Sequence, residues 1–378
     1  MGRARRFAVT SAKRPYEEPK FSKGRVDRAG QRIGGPDERP EDLVVLENWR
    51  ASHANILNTF KTVLYNRAKD IDVQIAQRLK RRPTIIDKLT REPEMRLSRM
   101  HDIAGCRVIF EDIDDLHYFR RLIHTARFDH KRRGAEEDRW NYIKDPKPSG
   151  YRGIHDVYTY HVEPKKGRAG EKQPWNGLLV EIQYRTLIQH AWATAVELAG
   201  FVTENDPKFD RGNPDFIDFF KVCSEILARS FENSYSCLPN LKNQELIDRF
   251  HDLETKTHMI RLFSEMRKSE GSLNLDGASI LIFRYEADLF SDNQLEVRSF
   301  ETVNQAIHEY NRLEEILSDK ADIVLVGSRS GESIKSAYRN YFSDAQEFIS
   351  LIQDGVGILE SSEFFVVEDD EVLEDFDL

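Results

Sequence analysis

The chain of 378 residues is 39% hydrophobic and 32% charged, with a formal net charge of -9; it has apolar content enough for a buried core and the wrong sign for a general nucleic-acid coat. There is no run of about 18 apolar residues for a membrane span, and the basic N-terminus lacks the apolar segment of a secretory signal, so a cytoplasmic chain is expected. Cys106, Cys223 and Cys237 are too few and too scattered for a disulfide framework or a zinc site.

Charge is unevenly placed. Residues 1–40 carry eleven Lys and Arg against five acids, are rich in Gly and Pro, and show no apolar period, which predicts a basic segment without fixed structure. The pattern changes at Glu41. Leu43, Leu46, Trp49, Ile56, Leu57, Phe60, Val63 and Leu64 recur at helical spacings and predict one or two amphipathic helices with their apolar stripe in the core. Residues 76–89 are dense in cations and broken by Pro83. Because Pro is tolerated in the first turn of a helix and not in its interior, Arg78 to Arg82 should close one element and Thr84 to Leu89 open the next. Backbone amides at that helix start, with Lys80 and Lys88, are equipped for a triphosphate, though a cationic run serves equally as solvated surface.

Residues 101–110, HDIAGCRVIF, set Asp102 at the mouth of an apolar strand, where a carboxylate by itself reads as a turn cap. An amphipathic segment over 112–123 and a charged loop over 129–138, at the rim of a cleft, follow. Residues 142–160, YIKDPKPSGYRGIHDVYTY, then place basic, aromatic and imidazole side chains around a glycine-rich turn that leads into a strand from Ile154 to Val162. Lys147, Tyr151 and His155 thereby gather where loop becomes sheet, the equipment of a phosphate and base pocket, although a tyrosine beside a strand is usually core.

Residues 178–186, LLVEIQYRT, form another strand, whose period of two puts Glu181, Gln183 and Arg185 on one face and Val180, Ile182 and Tyr184 on the other. With Glu181 on a second strand, Asp102 becomes a candidate metal ligand beside it. Magnesium takes one or two protein carboxylates and fills its octahedron with water and substrate phosphates. Residues 186–199 predict a helix ending near Gly200, with His190 and Glu197 on one face, either orienting the site or simply satisfied; their spacing is not that of a zinc protease.

Residues 206–270 read as a helical extension, with Phe216, Phe219, Phe220, Val222, Ile226 and Leu227 on its apolar faces. Composition shifts at Ser269 to Asp276. Beyond it, Ala278 to Tyr285 and Leu295 to Phe300 read as strands, Thr302 to Leu317 as a helix, Asp322 to Gly327 as a buried strand, and Ser333 to Ile352 as helical with a break near Tyr341. The result is a small α+β module over 271–361, with a structural, regulatory or partner-binding role, and an acidic tail over 362–378; Glu360 to Leu378 holds nine acids and no base.

Three motifs taken together give the chain a family likeness: Arg78-x-Lys80 with Lys88 after seven more residues, Asp102-Ile-Ala-Gly, and the pair KPSGYRGIH and EIQYRT that carries Lys147, Tyr151, His155 and Glu181. They resemble the RelA/SpoT nucleotidyltransferase domain, which makes the alarmones ppGpp and pppGpp. The resemblance implies an α+β domain over 41–205, with a mixed β-sheet flanked by helices. It implies an ATP-dependent pyrophosphokinase in which the ribose 3′-hydroxyl of GDP or GTP attacks the β-phosphorus of ATP and AMP leaves. The implied cofactor is Mg2+, held by Asp102 and Glu181, with Glu181 as ligand or as base. The implied ATP contacts are Arg78 against adenine and Lys80, Lys88 and Arg107 on phosphate. On the acceptor side they are Lys147 and His155 on phosphate, Tyr151 stacked on guanine, and Gln183, with Arg185 and His190 supporting.

Many family members carry an acidic residue before Tyr142 and an Asn before Gly150, where this chain has Asn141 and Ser149; both differences lie near the acceptor. Toxic relatives use the 3′ end of tRNA or adenosine nucleotides, so a tRNA partner for the basic head stays open beside the guanine nucleotides, as does a nucleotide-sensing module without turnover. His251-Asp252 looks superficially like the metal pair of the hydrolase domain in longer members. The remaining histidine-rich context is absent and residues before 41 are too few to hold it, so synthesis without hydrolysis is expected. Small relatives often form oligomers, which leaves a homo-oligomer open as well.

Overall fold

The structure is a computed structural model that describes residues 16–69, 71–163, 173–202, 213–268, 278–284, 295–300, 305, 309, 312, 313, 316, 321–326 and 345–361. Two compact units divide the chain: Met1–Trp140 with Ile154–Tyr184, and Asn141–Gly153 with Arg185–Leu378. The segment expected as one domain over 41–205 therefore contributes to both. Among the described residues no helix is long and apolar enough to cross a membrane.

The first unit has the expected α+β architecture, a mixed sheet flanked by helices, with strand order β1-β2-β5-β4-β3. The strands are β1 (Gln74–Leu79), β2 (Ala104–Phe110), β3 (Lys131–Arg133), β4 (Ile154–Thr159) and β5 (Leu179–Thr186). β1 runs antiparallel to β2, and β4 antiparallel to both β3 and β5. The apolar period from residue 43 folds as a single helix, α2 (Pro40–Arg67), with Val45, Leu46, Trp49, Ile56, Leu57, Phe60 and Leu64 buried. It packs on β1 and β2 together with α4 (Ile113–His124). Cys106 is a buried core residue of β2.

The basic head departs from expectation. From residue 16 it is ordered, and Lys23–Ile33 forms α1, capped by the Ser22 side chain, which accepts from the Arg25 amide at 3.3 Å. Val26, Ala29 and Ile33 are buried, and the Arg32 Nε donates at 2.7 Å to the fully buried Asp42 of α2. Few apolar residues thus suffice, because the Ser22 cap satisfies an amide of the first turn and the Arg32–Asp42 pair fixes α1 in one geometry against α2. Residues 1–15 lie outside the described residues.

The second unit is largely helical: α5 (Leu187–Val202), α6 (Pro214–Glu232), α7 (Asn243–Thr257), α8 (Met259–Lys268) and α9, over residues 345–361. α5 runs past Gly200, where the sequence predicts its end. One apolar core joins Trp192 of α5, Phe219, Phe220 and Ile226 of α6, Phe250 of α7, Phe263 of α8 and Phe348 and Ile352 of α9. The last helix therefore belongs to this helical core and not to a separate module over 271–361. Within that span β6 (Ala278–Arg284), β7 (Leu295–Phe300) and β8 (Ala321–Val326) form the expected sheet, ordered β7-β6-β8 and antiparallel. The boundary at 269–276, most of the 302–317 helix, residues 333–344 and the acidic tail lie outside the described residues.

Candidate active site

In the first unit, β1 ends at Leu79 and α3 (Arg82–Arg91) begins with Pro83 in its first turn, as the cation-rich run predicts. Lys80 sits between them, pinned at three points. Its amide donates to the Ile103 carbonyl at 2.9 Å, its carbonyl accepts from Arg50 Nε at 2.7 Å, and its Nζ reaches Asp102 Oδ2 at 2.8 Å. Lys88, on α3, approaches the other Asp102 oxygen at 3.5 Å. The end of β1, the last turn of α3 and the turn before β2 thus converge on one carboxylate. Burial works to raise the Asp102 carboxyl, and the two ammonium groups outweigh it, holding it below the usual 3.8.

Glu181 lies on β5, 8% exposed. His155 stands opposite Gln183 in the β4–β5 register, so His155, Gln183 and Glu181 share one face of the sheet. His155 Nδ1 lies 3.1 Å from Glu181 Oε1, and Gln183 Nε2 donates to Oε2 at 2.6 Å. Burial would raise the Glu181 carboxyl, yet the charge and hydrogen bond of His155, the Gln183 bond and Lys88 bring it down to about 2. Asp102 and Glu181 are close enough that each feels Lys88 and that the charge of Glu181 works to raise Asp102.

Both carboxylates are anions at neutral pH, and a carboxylate oxygen that accepts one hydrogen bond keeps a lone pair. Among the described residues no three His, Cys, Asp or Glu side chains gather as a metal cage. Two carboxylates beside lysines suit an ion that takes most of its ligands from water and phosphate, as magnesium does, and would not suffice for a structural zinc.

Arg78 and Arg107 lie on β1 and β2. Arg78 pairs with Gly105 and Ala76 with Arg107 across β1 and β2, so both guanidinium stems rise from one face, Arg78 exposed and Arg107 half-buried.

The second unit holds a different group. Lys147 Nζ lies 4.4 Å from the Tyr142 ring centre and 5.3 Å from that of Tyr151. Arg185 lies 5.1 Å from the Tyr151 ring centre and donates to its hydroxyl at 3.0 Å. Tyr142 meets Tyr151 edge-on at 5.8 Å, and Tyr151 also packs against the helical core. His190 lies half-buried on α5.

The expected acceptor set is thus divided: Lys147 and Tyr151 form an aromatic–cation platform, while His155 and Gln183 hold Glu181. Sequence reasoning missed three residues. Arg50 fixes the Lys80 backbone from α2. The ring of His101 meets Trp140 edge-on at 5.3 Å, and burial, then Arg133, lower its pKa. Arg152, 3% exposed, gives its guanidinium to Glu232 of α6. The signal available for His101 was its place beside Asp102; the other two have partners 30 and 80 residues away.

Residues 77–199 match the family model described as "Region found in RelA / SpoT proteins". "GTP pyrophosphokinase YjbM" of Bacillus subtilis is 35% identical over 122 residues, 32% of this chain and 52% of that protein. An uncharacterized protein of Mycobacterium tuberculosis, Rv1366, is 26% identical over 184 residues, 48% of this chain and 60% of that one. The chain therefore spans less than two thirds of the length of either relative. Among solved structures, small alarmone synthetase 1 of Bacillus subtilis bound to its product pppGpp is 25% identical, with a TM-score of 0.37 over 50% of this chain and 93% of that one. Small alarmone synthetase 2 of the same organism is 22% identical, with a TM-score of 0.36 over 46% and 86%.

Proposed function

Since residues 77–199 match the family model of the region found in RelA/SpoT proteins, we propose that the chain is an ATP-dependent pyrophosphokinase that transfers the β,γ-pyrophosphate of ATP to the ribose 3′-hydroxyl of GDP or GTP. The name GTP pyrophosphokinase carried by the relative 35% identical over 122 residues supports the same reading. The observation that carries it is Asp102 with Lys80 Nζ at 2.8 Å and Lys88 Nζ at 3.5 Å, two ammonium groups gathered at one carboxylate.

The bond that forms joins the 3′-oxygen to the β-phosphorus. The bond that breaks joins that phosphorus to the α–β bridging oxygen, which leaves on AMP, and the hydroxyl proton passes to solvent. Such chemistry depends on positioning and charge neutralisation more than on covalent help. Lys80 and Lys88 supply cationic charge for the donor phosphates, and Lys80, held through its amide and carbonyl, is already ordered for the task. Arg78 takes the adenine, where a guanidinium over a base contributes about 0.5–2 kcal/mol, and Arg107, diagonal to it on the same sheet face, adds charge for the donor phosphates. Glu181, oriented by His155 and Gln183, accepts the hydrogen bond of the attacking hydroxyl. Asp102 and Glu181 would also hold magnesium, which supplies neutralisation of the charge on the donor phosphates. Tyr151 and Lys147 receive the acceptor base.

Incubating the full chain with ATP labelled at the γ-phosphate and GDP, GTP, ADP or tRNA tests this. Label on GDP or GTP with AMP in equal amount is expected. Label on ADP or tRNA alone would replace the acceptor, and no acceptor-dependent AMP would overturn the transferase.

A further inference from the structure

The Tyr151 loop is fastened on both sides to α6, a helix outside the matched region 77–199. Before Tyr151, the Gly150 carbonyl accepts from Ser224 Oγ at 2.6 Å. Gly150 has φ +87°, and a Cβ there would meet Ser224 Cβ at 3.0 Å and Trp192 Cζ2 at 3.2 Å, so the loop lies directly on α5 and α6. After Tyr151, the buried Arg152 guanidinium meets the carboxylate of Glu232, the last residue of α6. The second Glu232 oxygen accepts from Thr186 Oγ1 at 2.6 Å and Gln189 Nε2 at 2.9 Å. Within the loop, the Gly150 amide donates to the Lys147 carbonyl at 2.8 Å and the Lys147 amide to the Tyr151 carbonyl at 3.2 Å.

A buried ion pair is a poor way to gain stability, because desolvating both charges offsets their attraction; what it fixes well is one geometry. Among the described residues Glu232 is the only anion bonded to Arg152, while Arg152 Nε and its other amino group have no protein acceptor. The geometry of this pair therefore sets where the chain leaves Tyr151. A ring held in place before binding spares the acceptor the cost of ordering it.

We propose that Glu232, acting through Arg152, is a positioning residue for the acceptor nucleotide, so that α6 sets acceptor affinity without touching the ligand. This rests on the reading that the Tyr151–Lys147 platform receives the acceptor base. The test uses the full chain, with binding of fluorescent GDP and of a non-hydrolysable ATP analogue measured for the parent, Tyr151→Ala, Glu232→Gln and the double variant, together with hydrogen exchange of residues 147–153. Glu232→Gln should weaken GDP about 10- to 100-fold, since a small misplacement from a distant change can cost that much. It should leave the ATP analogue within about twofold, speed exchange in the loop, and add nothing in the Tyr151→Ala background.

Unchanged GDP affinity, equal loss for both nucleotides, or a full effect without Tyr151 would each overturn the proposal. A parent whose GDP affinity is insensitive to Tyr151→Ala would instead remove the platform reading; slow exchange in Glu232→Gln would then show separately that the anchor does not hold the loop. If Glu232→Gln fails to fold, Ser224→Ala removes the other anchor and should show the same selective loss for GDP; parent-like binding there overturns the proposal.

Discussion

Asp156→Asn would remove a charge on which four donors converge. The Asp156 carboxylate, 2% exposed, accepts from Arg120 at 2.7 and 3.1 Å and from Arg132 at 3.3 Å, and lies 2.6 Å from His124 Nε2. Removing one partner of a buried pair costs about 3–5 kcal/mol. Here the cost is reduced, because Arg120 keeps Asp138 as a bidentate partner and the asparagine oxygen still accepts a hydrogen bond. A loss of about 2–3 kcal/mol follows, a factor of roughly 30–150 in the unfolding equilibrium. With a urea slope of about 1–3 kcal/mol per molar, the midpoint should fall by about 1 M at unchanged slope.

The pH dependence has a definite sign. Burial works to raise the Asp156 carboxyl, but the bonds from His124 and Arg120 outweigh it and leave the folded value below the usual 3.8. The stabilisation is complete above that pH and is lost as pH falls through the depressed folded value, so parent and variant should converge in acid. The site would feel the change: Arg132 and Asp138 flank the turn that ends at Trp140, whose carbonyl accepts from the His155 amide at 3.0 Å. A loss under about 0.5 kcal/mol near neutrality, or a deficit undiminished in acid, would refute the reasoning.

Glu181→Gln should lower turnover by at least about 100-fold while binding of ATP analogue and GDP stays within a few-fold; steady-state rates within tenfold of the parent would contradict this. Lys80→Ala removes a charged donor from the ATP side and should weaken the ATP analogue about 10- to 100-fold with GDP affinity kept, measured by equilibrium binding. Gly150→Ala forces a side chain into a φ of +87° against Ser224 and Trp192. It should destabilise the second unit by about 1–3 kcal/mol in denaturant unfolding and weaken GDP; a parent-like midpoint would argue against the close approach.

The helical period of residues 43–64, Pro83 at a helix start and the apolar strands around Cys106, Val157 and Ile182 are local signals, and each appears in the structure, although the strand expected from Ile154 to Val162 ends at Thr159. The elements that sequence missed are held by distant contacts. α1 has three small or medium apolar residues and low mean hydropathy, yet it packs so closely at Gly30 that a Cβ there would meet Leu97 Cβ at 2.7 Å. β3 is three cationic residues, made a strand by pairing with β4 and by the Arg132–Asp156 contact. α9 shows an apolar face in sequence, but its burial against Phe220 and Phe263 follows only from the fold. The site divides in the same way. The spacing of Lys80, Lys88 and Asp102 and the alternation at Glu181 and Gln183 were readable. The Arg50 hold on Lys80 and the Glu232 hold on Arg152 were not, because a guanidinium that bonds a remote carbonyl or carboxylate leaves no local pattern.

ATP carrying 18O in its α–β bridge gives the most direct measurement of the transfer. Attack at the β-phosphorus predicts that, with GDP or GTP present, all of the 18O is recovered in AMP and an equal amount of acceptor gains a 3′-pyrophosphate. Release of pyrophosphate carrying the 18O, or of ADP and phosphate without a modified acceptor, would contradict the account.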